Sequence, residues 1–356
     1  MALGAAELRE YATRPRRTIA EVLLDFDSCR PPLCRILDLV PPLRERFFSI
    51  ASSPALYPEA RAYCPAPCIH PPSRVGTPRR QCLPFQCIFY SRCLISDRIG
   101  ASPPLSPPPV LPSSFCLHVS STPRENDARP PTPLKEAHIC YAVVKYRTLM
   151  KEPRRGVCTS YLASLAHGAH VAVWLRKGCL RPPPLQAPLL MVGPGTGVAP
   201  FRAFVQSRQA ALCAATGTPA ALSASVKAPA AGAPAPAHLF FGCQRARVDF
   251  LYEAEWAEHL KRGSLQRLHC AFSRDGPDKV YVQHLMTEPQ TAAIIWRLLA
   301  TPDAHVYIAG AANQMPKDVC SALREVAILH GGLDEEGASR MLKTLEAEGR
   351  LQRETW

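Results

Sequence analysis

No stretch of the 356 residues approaches the roughly 20 consecutive apolar residues needed to cross a bilayer. The opening segment, MALGAAELREYATRPRR, also lacks the apolar core of a secretory signal. Both absences point to a cytoplasmic protein with no membrane partner. The fifteen cysteines then read as free thiols, because a reducing compartment does not sustain a disulfide framework and an odd number leaves one without a partner. Missing too is the short paired C-x₂-C spacing of zinc modules. Cys64, Cys68, His70, Cys82, Cys87 and Cys93 lie near one another without it, so no metal is expected. Nor is there a Lys/Arg stripe interleaved with aromatics. The formal charge of +13 therefore suits docking onto an acidic partner, and nucleic acid is not expected.

Proline, by contrast, is abundant. Its 38 copies are about twice the usual share of roughly 5%. Eighteen fall between Pro54 and Pro133, in runs such as Pro107-Pro108-Pro109. Proline removes backbone donors and blocks helix interiors and sheet ladders. Residues 54 to about 137 are therefore expected to be a disordered or poorly packed insertion. A second biased stretch, Ala210 to Ala237, could extend a helix at its start and then reads as a flexible loop.

Order returns in the rest of the chain. Leu189 to Val192 is a buried strand that runs into Gly193-Pro194-Gly195-Thr196-Gly197, followed by a helix from Pro200 to Gln209. Strands follow at His238–Phe241, Leu265–Phe272 and His305–Ile308. Helices are expected at Leu251–Lys261, from Tyr281 to Leu299 with a break near Pro289, and at Lys317–Leu329. Such alternation predicts an α/β fold with a doubly wound parallel sheet, its ligand at the carboxyl ends of the strands.

The glycine loop lets backbone approach a phosphate, and the helix after it presents unpaired N–H groups and a positive dipole end. Its G-x-G-x-G spacing is not the ordinary dinucleotide fingerprint, and alone it would serve as a tight turn about half the time. Ser273, Arg274, Lys279 and Tyr281 follow a strand and offer the cationic and hydroxyl donors that a 2′-phosphate needs. A solvated charged loop is the bland alternative.

Other motifs occur in a fixed order around these: Arg46-Phe47-Phe48-Ser49, Arg155-Gly156-Val157-Cys158-Thr159, Phe241-Gly242-Cys243, Lys279-Val280-Tyr281-Val282-Gln283 and a closing Glu354-Thr355-Trp356. In this order the chain resembles the ferredoxin-NADP reductase-like half of the diflavin reductases, loosely over residues 1–53 and well over about 138–356. Lys151 to Gly156 and the ETW ending look most like the branch that feeds cytosolic iron–sulfur cluster assembly.

The resemblance implies an incomplete antiparallel FAD-binding β-barrel over residues 1–53 and 138–180, and an NADP-binding domain over 181–356. It implies NADPH and FAD as cofactors, with FMN in the family's N-terminal domain, for which the 45 residues before Arg46 leave no room. It also implies a protein electron acceptor of the iron–sulfur pathway. FAD contacts would come from Arg16, Arg46, Phe47, Phe48, Ser49, Gly156, Val157, Cys158, Thr159 and Trp356. NADP contacts would come from Gly195, Thr196, Ser273, Arg274, Lys279, Val280, Tyr281, Val282, Gln283 and Asp318. Ser49, Glu354 and Trp356 would stand at the reacting rings. Ala309-Gly310 departs from the family's cysteine-glycine pair, which removes a thiol role there. A non-catalytic NADP-binding or partner-docking fragment is the alternative if the shortened barrel holds no flavin.

Overall fold

Leu189–Val192 is a strand with no polar residue and no exposed one, which only a sheet covered on both faces accommodates. A computed structural model of the chain describes residues 4–40, 43, 45–53, 55–56, 87–91, 114–119, 135–166, 169, 171, 173–216 and 235–356. By its contacts the chain divides into two units. One comprises Met1–Phe47, Tyr90–Leu105 and Ala142–Trp174; the other comprises Phe48–Phe89, Ser106–Tyr141 and Leu175–Trp356.

The second unit contains a five-stranded parallel sheet, whose strands we number β1 (Leu189–Val192), β2 (Ala237–Cys243), β3 (Arg267–Phe272), β4 (His305–Gly310) and β5 (Leu351–Thr355). Their spatial order is β3-β2-β1-β4-β5. The chain thus winds outward from β1 in one direction, returns, and winds outward in the other. The reversal lies between β1 and β4, the switch point where open α/β sheets bind ligands.

Helices α1 (Ala199–Thr216), α2 (Glu253–Arg262), α3 (Val282–Thr287), α4 (Pro289–Leu299), α5 (Met315–Gly331) and α6 (Glu335–Ala347) connect and cover the strands. Side chains alternate across the sheet as the pleat requires. Leu190, Val192, Phe240, Val306 and Ile308 join one buried layer with Met286, Ile295, Leu323 and Val326. Leu189, Met191, Leu239, Phe241 and Tyr307 join the other with Phe201, Phe204 and Trp256. Each fully buried side chain of this kind contributes roughly 1.5–3 kcal/mol.

Helix ends follow their sequence signals. Pro289 opens α4, Asp334 accepts the Gly337 N–H at 2.7 Å, and Gly263 and Gly332 close α2 and α5 in the left-handed region. The expected helix at Pro200–Gln209 runs on to Thr216, and the interruption near Pro289 separates α3 from α4. Helix α6 and strand β5 were not foreseen.

Residues 48–53 and 135–141 belong to this unit. Ala51 N–H donates to His138 O at 2.8 Å, and Ser53 N–H to Gln206 Oε1 at 2.8 Å. Arg202, only 6% exposed, donates to Ala51 O and Glu255 Oε2, each at 2.7 Å, and lies over the Tyr252 ring. Most of the proline-rich stretch, including Cys64, Cys68, His70, Cys82 and Cys93, lies outside the described residues. Its described parts include two strands, Cys87–Ser91 and Ser114–Val119, the latter paired antiparallel with Lys135–Cys140.

In the first unit, helix Ile19–Asp25 begins with a reciprocal cap in which Thr18 Oγ1 accepts the Glu21 N–H and Glu21 accepts the Thr18 N–H. A short hairpin pairs Lys145–Tyr146 with Arg154–Arg155, and a helix follows at Val157–Ser164. Arg154 grips Glu21 through both guanidinium nitrogens at 2.7 and 2.8 Å. That fork, aided by the Thr18 bonds, holds the Glu21 carboxyl at about 2. Among the described residues no helix is long and apolar enough to cross a membrane, and Cys140, Cys243, Cys270 and Cys320 are free thiols.

Candidate nucleotide site at the carboxyl edge of the sheet

Because all five strands run parallel, the loops after Val192, Cys243, Phe272, Gly310 and Thr355 emerge along one edge. The glycine loop occupies the switch point. A Cβ on Gly197 would sit 2.1 Å from Ala309 O, and one on Gly193 would sit 2.7 Å from Gly197 O and the Phe201 ring. Gly197 lets the loop lie against β4, and Gly193 lets it fold closely on itself and on the Phe201 ring of α1. Gly195 differs: it holds φ +57 with nothing within 4 Å of the Cβ position, and it and Thr196 are half-buried. A tight turn alone would not require that open face. The helical turn Gly195–Val198 leads directly into α1, so first-turn amides point outward here.

The loops after β2 and β3 are joined by backbone bonds. Ser273 N–H donates to Cys243 O at 3.0 Å and Arg274 N–H to Gln244 O at 2.8 Å. Arg274, Lys279 and Tyr281 are exposed, and Ser273 is half-buried with its hydroxyl 3.4 Å from Cys243 O. Two nearby acids accept from backbone donors, and Asp278 stands exposed in the same run. Asp249 accepts the Gln244 and Arg245 N–H groups at 2.9 and 2.7 Å, and Asp275 accepts Ala246 N–H at 2.9 Å.

Two further cations, Arg245 and Arg247, stand exposed on the β2 loop. Sequence reasoning missed them, although two arginines just after a strand's carboxyl end are a readable signal. Val282 is 2% exposed and packs beneath Gly242, so its side chain serves the core; Val280 packs against the same layer. Gln283 and Gln314 both donate to Asp318, at 3.4 and 2.9 Å, which ties the start of α3 to the start of α5.

The far end of the edge brings together residues about 300 positions apart. Strand β5 pairs Glu354 with Ala309, and the Glu354 carboxylate accepts a short hydrogen bond from the Ser49 hydroxyl. Trp356 is anchored through its backbone: its N–H donates to Gly310 O at 3.1 Å and its carbonyl accepts from Ala312 N–H at 2.9 Å. Its indole is 55% exposed. A frayed end does not describe it. Phe48 is half-buried, edge-on to Tyr141 at 6.0 Å.

The remaining expected flavin residues lie in the first unit. Arg16 takes φ 55, donates to the Tyr146 hydroxyl at 3.0 Å and stacks over that ring. Arg46 and Phe47 are exposed. Gly156 opens its helix without a side-chain cap, and a Cβ there would sit 2.8 Å from Val144 Cβ and Thr159 Oγ1. Val144 engages both neighbours, accepting the Gly156 N–H at 2.8 Å and donating to Thr159 Oγ1 at 3.1 Å. Outward contact at this helix start therefore falls to Val157 and Cys158, the first 62% exposed.

A doubly wound sheet with a glycine loop at its switch point is the frame of a nucleotide-binding domain, and residues 191–321 match the oxidoreductase NAD-binding domain family. Over its whole length the chain is a relative of the NADPH-dependent diflavin oxidoreductases. It is 36% identical to NADPH-dependent diflavin oxidoreductase 1 of Bos taurus over 361 residues, covering 100% of this chain and 44% of that protein. Against the Mycosarcoma maydis protein of the same name the identity is 33% over 355 residues, covering 99% and 41%. The sulfite reductase (NADPH) flavoprotein alpha-component of a Shewanella species is 39% identical over 223 residues, 62% of this chain and 33% of that protein. The chain spans less than half the length of the diflavin relatives it matches.

Proposed function

We propose that this chain binds NADPH and FAD and passes reducing equivalents from the first to the second. The carrying observation is the single sheet edge that holds an open glycine loop at the switch point and a Ser49–Glu354 hydrogen bond beside an exposed Trp356 ring. The donor set fits NADPH: first-turn amides at Gly195–Thr196 suit a pyrophosphate, and Ser273, Arg274, Lys279 and Tyr281 suit a 2′-phosphate. Asp249 and Asp275 beside it accept from backbone amides, and the run itself carries Arg274 and Lys279.

For FAD, the indole of Trp356 and the ring of Phe48 supply stacking faces, and Ser49 supplies a hydroxyl oriented by Glu354. Arg16, Arg46 and the first turn after Gly156, which belong to the first unit, are donors of the type that phosphate oxygens take. The bound flavin itself would supply the conversion of a two-electron donor into single electrons. Trp356, held by its backbone while its ring stays exposed, can cover or uncover the place where a nicotinamide would stack. The Ser49 hydroxyl fixes one proton position, and Glu354 keeps it pointed.

In this reading residues 1–53 and 138–180 form the flavin part, 181–356 the NADP part, and 54–137 an insertion. The electron acceptor is an acidic protein carrier, matched by the formal charge of +13. Cytosolic iron–sulfur cluster assembly is the pathway we assign.

An anaerobic absorbance spectrum tests this. The purified chain should show a flavin band near about 450 nm that bleaches on adding NADPH. A colourless protein that still binds NADPH would leave the nucleotide domain and remove the flavin chemistry.

A further inference from the structure

A cavity of about 310 Å³ opens at the opposite edge of the sheet, where β1, β2 and β3 begin and α4 ends. Pro188, Pro236, Ile294 and Leu298 form its apolar walls. The two prolines have no N–H to satisfy, and their carbonyls serve the sheet, accepting from His305 N–H at 2.9 Å and Leu189 N–H at 2.8 Å. Its polar groups are His238, Arg267, Arg297 and Thr301. At roughly 30 Å³ per water-sized volume the space suits a compact organic molecule of about ten heavy atoms.

His238 is the informative member. It is 6% exposed, and its Nδ1 is buried without a hydrogen-bond partner among the described residues. Burial, with His269 and Arg267 beside it, lowers His238 to about 4, so the ring is neutral at pH 7 and each nitrogen is either a donor or an acceptor. Its plane is fixed by stacking on His269, which stacks in turn on Phe240.

Arg267 and Arg297 are exposed, and no carboxylate among the described residues pairs with either. The end of α4 brings carbonyl dipoles near. Two of them are already capped, however, by the Ala300 and Thr301 N–H groups at 2.9 and 3.0 Å. The guanidinium charges therefore set the sign of the cavity.

We propose that this cavity binds a small organic carboxylate, its apolar body between the prolines and Ile294–Leu298 and its carboxylate on Arg267 and Arg297, with the neutral His238 ring as a lining group. The site is separate from the nucleotide edge. Strand β2 begins near His238 and ends at Cys243, about 17 Å along an extended chain.

Benzoate, titrated against the full chain and followed by ligand-observed NMR, tests the assignment, with the uncharged isostere benzamide in parallel. Benzoate should bind saturably and benzamide at least about tenfold more weakly, the size of one lost charge-assisted bond. The double variant R267Q/R297Q should weaken benzoate by a similar factor, and excess NADP⁺ should not displace it. Equal binding of the two probes overturns the proposal, as does undiminished binding to the variant, displacement by NADP⁺ or no saturable binding. If the double variant fails to fold, the benzoate–benzamide comparison on the unaltered chain still decides.

Discussion

Replacing Gly197 by alanine puts the packing argument at the switch point to a quantitative test. The new Cβ would lie 2.1 Å from Ala309 O, 2.7 Å from its carbonyl carbon and 3.0 Å from Gly310 Cα. Ordinary carbon–oxygen contacts begin near about 3.3 Å, so the glycine loop and β4 must part by roughly 1 Å. Neither side is a flexible side chain. Ala309 is held in β4 by its pairing with Glu354 of β5, and the loop is fixed by the Gly193 N–H bond to Phe240 O at 2.9 Å. Overpacking of this kind costs about 1–3 kcal/mol, and backbone on both sides argues for the upper end. For a unit of this size that lowers the melting temperature by about 5–10 °C. G195A is the matched control: open space surrounds its Cβ, and only the left-handed φ opposes it, at about 1 kcal/mol. Thermal melts followed by circular dichroism should rank the wild type above G195A and G195A above G197A. NADPH affinity should suffer in G195A out of proportion to its stability. A G197A protein within about 0.5 kcal/mol of the wild type would refute the close-approach reading.

Three further outcomes follow from named contacts. The double variant R274Q/K279Q should weaken NADPH by about 10–100-fold and leave NADH nearly unchanged, read by fluorescence titration, because only NADPH carries the 2′-phosphate; equal losses for both would place the phosphate elsewhere. S49A removes the hydroxyl held by Glu354 and should slow flavin reduction about tenfold or more in stopped flow with NADPH affinity unaltered, whereas a purely structural hydroxyl would change stability alone. Burial would raise the Glu255 carboxyl, but the His259 bond, the Arg202 charge and the bonds from Arg202 and Gln206 outweigh it and hold the group at about 2. A depressed carboxyl stabilises above its unfolded value near about 4 and loses that contribution as pH falls toward 2. Urea melts should therefore weaken between about pH 5 and 2, and E255Q, which strands buried Arg202, should cost about 3 kcal/mol at pH 7 and flatten that dependence.

Much of the parallel sheet was legible because its strands are apolar on both faces. Leu189–Val192 and Ala237–Cys243 carry no solvent-facing alternation that could be mistaken for a helix stripe. The proline at 289 marked its helix boundary for the equally local reason that it cannot continue a ladder. Strand β5, Leu-Gln-Arg-Glu-Thr, escaped notice because it is an edge strand. Only Leu351 is buried, so its identity as a strand comes from pairing with β4 and not from composition. Helix α6 escaped for a related reason, its apolar face being only Ala338, Leu342 and Leu345 among charged neighbours.

The candidate site shows the same division. Local sequence could nominate the glycine loop and the Ser273–Tyr281 cluster, because each is a contiguous run whose chemistry is visible in its residues. It could not join Ser49 to Glu354. That bond exists because β5 adds to the sheet beside β4, which sets Glu354 against Ala309 and carries Trp356 to the Gly310 carbonyl. The sheet edge therefore does more than support the glycine loop. By terminating β4 and β5 in register, it fixes a carboxylate, a hydroxyl and an aromatic ring beside the switch point. A substitution that unzips β5, such as L351D at its one buried position, should release Trp356 and Ser49 together while the glycine loop keeps its place between β1 and β4. On the proposed function, such a variant should still bind NADPH but lose the step assigned to Trp356, so that nucleotide binding and flavin reduction part in one chain.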